Sequence, residues 1–232
     1  APKTGSNGRH PLPALADFAA LMRAQGLTSG TQVVVYDAGN SMFAAHLWWM
    51  LRWLGRENVA VLDGGWQAWL AAGGAVETRV NTGSVTEAQA LQGRGYGSAP
   101  AMPAVDASAV LANLDEPAFT VVDARAANRY RGEVEPMDPV AGHIPGALNR
   151  PNSLNVESDG RFKPPAVLRA EFEALLGGVP AADVVHQCGS GITACHNLFA
   201  MELAGLKGSK LYPGSWSEWC SDPGRPVARG AG

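Results

Sequence analysis

Apolar residues recur along this chain in two alternating rhythms. Leu15, Phe18, Leu21 and Met22 fall on one helical face within residues 14–25, and Gly26 closes that segment. Residues 31–36 form a short β-branched run that predicts a buried strand. A loop of small residues, 37–40, leads into an apolar helical stretch, 41–54, ended by Gly55. A second short strand is predicted at 59–62, and Asp63-Gly64-Gly65 then turns into a helix carrying Trp66 and Trp69.

The later part of the chain repeats this order. A helix at 167–176 turns inward Leu168, Phe172, Leu175 and Leu176; a strand at 184–187 follows, then a loop at 188–192. A helix at 193–204 has Cys195, Leu198, Phe199 and Leu203 at helical spacing, and a strand is predicted at 210–212. Pro213-Gly214-Ser215-Trp216-Ser217-Glu218-Trp219 matches Asp63-Gly64-Gly65-Trp66-Gln67-Ala68-Trp69 at an offset of 150 positions. So long a period means a duplicated domain rather than a solenoid. Strands alternating with helices imply the α/β class, each copy a parallel sheet flanked by helices.

The copies are expected at 1–80 and 103–232. A linker is expected at 81–102, where Gly, Ser, Gln and Ala replace bulky apolar residues. In the second copy 65 positions separate Asp123, at the end of Phe119-Thr120-Val121-Val122-Asp123, from Cys188, whereas 36 residues precede Asp37. The N-terminal copy is therefore expected to lack an opening strand and first loop, and the chain to be a piece of a longer protein.

Composition narrows the field without choosing within it. The 232 residues carry a formal charge of −3 with no basic cluster, which argues against nucleic acid and anionic membranes as partners. The longest apolar run, 42–54, is short of a membrane span and is interrupted by His46 and Arg52. The polar, Gly-rich start does not resemble a secretory leader. Three cysteines, two of them seven apart in one loop–helix unit, do not form a disulfide framework, so a reducing compartment, the cytoplasm, is expected.

The candidate chemistry lies in Val184-Val185-His186-Gln187-Cys188-Gly189-Ser190-Gly191-Ile192-Thr193. A strand ends in a cysteine, a loop of small residues follows, and a helix begins. Gly189 and Gly191 let the backbone curl so that several N–H groups can face the Cys188 sulfur. The positive end of the following helix adds to this. Both effects favour an anion on that sulfur, whether a thiolate or a persulfide. Aligning the copies puts Asp37 opposite Cys188. An aspartate cannot carry transferable sulfur, so one copy alone is expected to do chemistry.

Together, four segments resemble the rhodanese superfamily, in particular its two-domain sulfurtransferases of the 3-mercaptopyruvate type. They are Cys188-Gly189-Ser190-Gly191-Ile192-Thr193, Gly142-His143-Ile144-Pro145-Gly146-Ala147, Val122-Asp123-Ala124-Arg125 and Gly214-Ser215-Trp216-Ser217-Glu218-Trp219. The resemblance implies a catalytic C-terminal domain, an inactive N-terminal one and no cofactor. It implies that Cys188 takes sulfur from 3-mercaptopyruvate, releases pyruvate, and passes the sulfur to a thiol, thioredoxin or cyanide in a ping-pong cycle. The neutral Gly189 and Ser190 resemble the mercaptopyruvate type more than the thiosulfate type, which usually follows the cysteine with cations; thiosulfate is the alternative donor.

By the same resemblance Gly189, Gly191, Ile192 and Thr193 form the substrate loop, and Arg129 holds the donor carboxylate. Ser190 is expected to pair with His10, contributed by the inactive domain. Where the family often has a second arginine this chain has Met137; Arg150 is the expected substitute. His143 belongs to a turn set by Pro145-Gly146. The tryptophans are expected in the core or between the domains.

Two other enzymatic or ligand readings fail on spacing. A cysteine phosphatase needs an arginine six residues after the nucleophile, and Ala194 stands there. A zinc site from His186, Cys188, Cys195 and His196 would need side chains that alternate on a strand or diverge on a helix to converge. A non-catalytic binding module of the same fold is the non-enzymatic alternative.

Overall fold

The computed structural model describes residues 2–27, 30–79 and 99–231. Its N-terminal half runs α1 (Leu15–Ala24), β1 (Val33–Val35), α2 (Met42–Trp53), β2 (Val59–Val61) and α3 (Gly65–Ala71). The C-terminal half runs α4 (Ala107–Asp115), β3 (Thr120–Asp123), α5 (Ala127–Tyr130), β4 (Leu148–Asn149), α6 (Pro165–Leu176), β5 (Val184–Gln187), α7 (Ile192–Leu203), β6 (Lys210–Leu211) and α8 (Ser215–Trp219). The expected linker, apart from its last four residues, lies outside the described residues.

Both sheets are parallel. In the C-terminal half the order is β4-β3-β5-β6, with Val121 opposite Val185 and His186 opposite Leu211. Among the described residues the N-terminal sheet has two strands, β1 and β2, with Val34 opposite Ala60. They repeat β5 and β6. Counterparts of β3 and β4 are absent from the described residues of that half. This corrects the expectation of a buried strand at 31–36: Val34 and Tyr36 are 53% and 57% exposed, because no described element covers that face of β1. Trp69, expected in the core or between the domains, is 40% exposed beside them.

The halves are joined through helices. Trp48 and Trp49 of α2 and Leu198, Phe199 and Met201 of α7 share one buried cluster, with Trp48 edge-on to Phe199 at 4.9 Å. Burying side chains of this size contributes about 1.5–3 kcal/mol each. Polar bonds fix the register of the contact. His196 on α7 pairs through Nε2 with the Asn40 carbonyl (2.9 Å), and the Phe162 amide donates to Asp63 (2.8 Å). A second cluster, with Trp216, Trp219, Tyr212 and Ile144, fills the opposite face of the C-terminal sheet.

Two buried histidines tie this packing to pH. Burial pulls His186 down to about 3 and His196 to about 4, so both are neutral in the fold. An unfolded chain protonates them near pH 6.5. Their contribution is complete above pH 6.5 and is lost as pH falls towards 4. The loss is up to about 1.4 kcal/mol per pH unit for each. The urea midpoint is expected to drop steadily between pH 7 and pH 5. An unchanged midpoint would mean these rings take up protons without unfolding.

Candidate active site

The strand β5 delivers Cys188 to the C-terminal edge of the sheet, where a parallel α/β sheet presents its ligands. The next three residues turn back over the sulfur. The Ser190 and Gly191 amides donate to Cys188 Sγ at 3.4 and 3.2 Å. Gly191 has φ 86°, and a Cβ there would lie 2.5 Å from the Pro213 carbonyl oxygen. Only glycine satisfies both conditions. The loop is pinned from the other side by α8: the Cys188 amide donates to Ser215 Oγ (3.1 Å), and the Trp216 amide to the Cys188 carbonyl (3.0 Å). Ile192 and Thr193 open α7 immediately after it.

The N-terminal half supplies the comparison. The Trp66 amide donates to the Asp37 carbonyl at 2.9 Å, as Trp216 does to Cys188, which places Asp37 and Cys188 at equivalent points. The loop after Asp37 is one residue longer. Its carboxylate accepts four amides, from Gly39 (2.9 Å), Ser41 (3.1 Å), Phe43 (2.9 Å) and Ala44 (3.0 Å). A loop–helix unit of this construction therefore holds an anion, here a fixed one. The small residues even trade places: Gly191 and Ser215 in one half, Ser41 and Gly65 in the other, all four at positive φ.

The three cysteines have different surroundings. Cys195 lies beneath the loop and donates to the Gly191 carbonyl (3.3 Å), so the residue whose N–H faces Cys188 is also held through its carbonyl. Burial, with the neighbouring Cys188 second, pushes the Cys195 thiol well above its usual range. Burial also raises Cys220. Both are held as thiols.

The N-terminal segment crosses to this site. His10 Nδ1 and Ser190 Oγ share a hydrogen bond of 2.8 Å across 180 residues of sequence. Burial and the nearby charges of Lys3 and Arg9 lower the His10 pKa, which favours the neutral ring able to exchange a proton with the hydroxyl. Arg129 lies over Gly189, its terminal nitrogens 3.6 and 3.7 Å from the point a Cβ on Gly189 would occupy. Glu135 grips it from behind at 2.6 Å, and Asp138 stands 3.5 Å away. Burial opposes charge on Glu135, yet the Arg129 bond and the amides of Met137 and Asp138 hold it below the usual carboxylate range.

Several expected residues lie elsewhere. Arg150 is not a substitute for a second site arginine: its guanidinium bonds Asn155 (3.2 Å) and Glu171 (2.5 Å) and stacks on Phe172. The buried Asn155 and Phe172, with the half-buried Glu171 carboxylate, drew it to the side of α6. Met137 points outward and is 59% exposed. His143 stacks on Tyr130 at 3.8 Å, away from the cysteine. His186 pairs with Met201 and His196 with Asn40, so neither ring turns to Cys188. Sequence reasoning missed Arg9, Glu135, Asp138 and Ser215. Arg9 adjoins a singled-out histidine, the one local hint available.

Comparison with known proteins finds matches in both halves of the chain. The family model described as "Rhodanese-like domain" matches residues 3–72 and 106–222. A Pseudomonas aeruginosa protein named "Probable 3-mercaptopyruvate sulfurtransferase" is 50% identical over 229 residues, covering 98% of this chain and 78% of its own. The bovine thiosulfate sulfurtransferase is 35% identical over 213 residues, covering 90% of this chain and 69% of its own. Among solved structures, the anaerobic ergothioneine biosynthesis enzyme from Chlorobium limicola, with trimethyl histidine bound, shares the fold. Its TM-score is 0.80 at 25% identity, over 95% of this chain. The chain spans 56% of that enzyme's length.

Proposed function

Because the chain belongs to the rhodanese family, we propose that it is a sulfurtransferase that carries sulfur as a persulfide on Cys188. One observation carries this reading: two equivalent loops, one closed over a built-in carboxylate, the other turning the same kind of amide cradle onto a cysteine. The first has its anion permanently. The second is suited to an anion that comes and goes on sulfur.

With 3-mercaptopyruvate as donor, the Cys188 thiolate attacks the donor sulfur. An S–S bond forms, and the donor's S–C bond breaks. Its electron pair passes to the carbon next to the carbonyl as the pyruvate enolate. The proton leaving the donor thiol ends on that carbon, giving pyruvate, and the Cys188 persulfide keeps the negative charge. Ser190 and His10 form a proton relay for this step. Arg129 holds the donor carboxylate, with a guanidinium whose planar fork suits it. Ile192 and Thr193, at the start of α7, complete the donor loop with Gly189 and Gly191. A thiol, such as thioredoxin or a small thiol, or cyanide then takes the outer sulfur. Three free cysteines fit work in a reducing compartment, the cytoplasm.

Arg129→Ala is expected to raise KM for mercaptopyruvate about ten- to a hundredfold while leaving persulfide discharge to a thiol nearly unchanged. An unchanged KM would remove Arg129 from the donor site. The donor is decided by measuring kcat/KM for mercaptopyruvate and thiosulfate side by side. The proposal expects the former to exceed the latter, and the reverse order would make thiosulfate the donor.

A further inference from the structure

Two histidines cross between the halves, and they stand at corresponding places. His46 on α2 and His196 on α7 are related by the same 150-residue offset as the tryptophan segments. His196 reaches the Asn40 carbonyl, in the loop closed over Asp37. His46 reaches the other way: its Nδ1 lies 3.4 Å from the sulfur of Cys195, the residue before His196 on α7. Each loop–helix unit is therefore held by a histidine of the opposite copy. One of these contacts steadies a carboxylate that never leaves. The other lies under the loop around Cys188.

Counting protons gives the direction of the second contact. The Cys195 thiol has one proton, and it goes to the Gly191 carbonyl (3.3 Å), which can only accept. The His46 ring must then present Nδ1–H to the sulfur. Burial, with the nearby His10 second, pulls His46 down to about 4, so at neutral pH the ring has a single N–H to give. Were that proton on Nε2 instead, the sulfur would turn its own proton to the ring and release the Gly191 carbonyl. Gly191 is also the residue whose amide donates to Cys188 Sγ at 3.2 Å. A line of three hydrogen bonds thus runs from α2 to the reacting sulfur. Its far end is fixed, because the Phe43 and Ala44 amides at the start of α2 are bound by the Asp37 carboxylate. Packing alone would ask only for an apolar side chain here, as Trp48 and Phe199 provide elsewhere in the same contact.

We propose that His46 is a positioning residue for the Cys188 loop: it acts through Cys195 to hold Gly191 with its amide on the reacting sulfur. The copy without a nucleophile then has a task in the chemistry of the other. Its locked loop–helix unit is the abutment, and His46 is the strut on which the working loop rests. The inference rests on the sulfurtransferase reading for what the loop does, though not for the strut itself.

The test uses four variants. His46→Leu removes the donor, and His46→Asn offers a side-chain amide N–H where Nδ1–H stands. Cys195→Ala cuts the line at its middle, and the double variant combines His46→Leu with Cys195→Ala. Alkylation of Cys188 by iodoacetamide, a neutral probe, is followed on the Cys188 peptide from about pH 5 to pH 10, which brackets the ordinary thiol range. His46→Leu is expected to slow alkylation about three- to tenfold below the midpoint of the profile and to leave the plateau at high pH unchanged. The cradle favours the thiolate and has little bearing on its reactivity once formed. His46→Asn is expected to regain most of the loss. Adding His46→Leu to Cys195→Ala is expected to change nothing more, because the line is already cut. Loading by mercaptopyruvate is expected to rank the variants in the same order. An unchanged profile in His46→Leu would overturn the proposal. So would single effects that multiply in the double variant, since the two residues would then reach Cys188 separately. A His46→Asn profile as displaced as that of His46→Leu would also overturn it, reducing the position to packing. If the profiles respond as expected but the unsubstituted protein takes up no sulfur, the failure belongs to the sulfurtransferase reading instead.

Discussion

Cys188→Ser is expected to reduce sulfur transfer to the uncatalysed background from either donor, with the thermal midpoint little changed. The hydroxyl occupies the same site and can accept the Ser190 and Gly191 amides that now reach the sulfur at 3.4 and 3.2 Å. What it cannot do is form a persulfide, so the covalent intermediate disappears and with it the whole ping-pong cycle. Cys220→Ser, on the far side of the sheet in the second cluster, is expected to keep most of the activity. Turnover in the two variants, measured with mercaptopyruvate and dithiothreitol, checks this. Substantial turnover in Cys188→Ser would mean that another group carries the sulfur.

The second large effect is expected at Gly191. An alanine there must take φ 86° and place its Cβ 2.5 Å from the Pro213 carbonyl oxygen, which is backbone and cannot swing aside. The left-handed conformation costs about 1–2 kcal/mol by itself. Relief of the clash has to move either the loop or the Pro213 turn. Either movement takes the Gly191 amide off Cys188 and disturbs the Cys195 bond to the Gly191 carbonyl. We expect a loss of about 2–3 kcal/mol in stability. Persulfide formation is expected to slow by about a hundredfold or more, comparable to deleting one donor of an oxyanion hole. Urea unfolding and single-turnover loading measure the two separately. Ser41 gives the control within the same molecule. It occupies the matching left-handed position in the other half at φ 68°, so that backbone turn itself accepts a side chain where the neighbouring turn leaves room.

The parts of this account that could be read from sequence are those encoded locally. Gly189 and Gly191 around Cys188, and the Trp66/Trp216 correspondence, are short-range patterns set by backbone curvature and helix packing. They located the loop, the strand before it and the duplication. The Ser190–His10 bond has no local trace, because 180 residues separate its partners; it was accessible only through family resemblance. Of the arginine–carboxylate cluster only Arg129 was accessible, and that through the same resemblance. Glu135 and Asp138 sit in a loop of mixed charge that sequence alone reads as solvated, yet they are nearly buried behind two arginines. Arg150 shows the converse error: an arginine expected at the site was claimed by Glu171 and the Phe172 ring. A long, flexible side chain goes where a buried partner waits, and the linear order does not encode which one. The exposed Val34 and Tyr36 have a similar cause, since a β-branched run predicts a strand but not what covers its faces.

The most direct test of the central claim is the intact mass of the unsubstituted chain after brief incubation with 3-mercaptopyruvate and removal of the donor. The account predicts a gain of one sulfur atom, found on the peptide bearing Cys188 and removed by a thiol. No gain from either mercaptopyruvate or thiosulfate, or sulfur found on Cys195 or Cys220 instead, would contradict it.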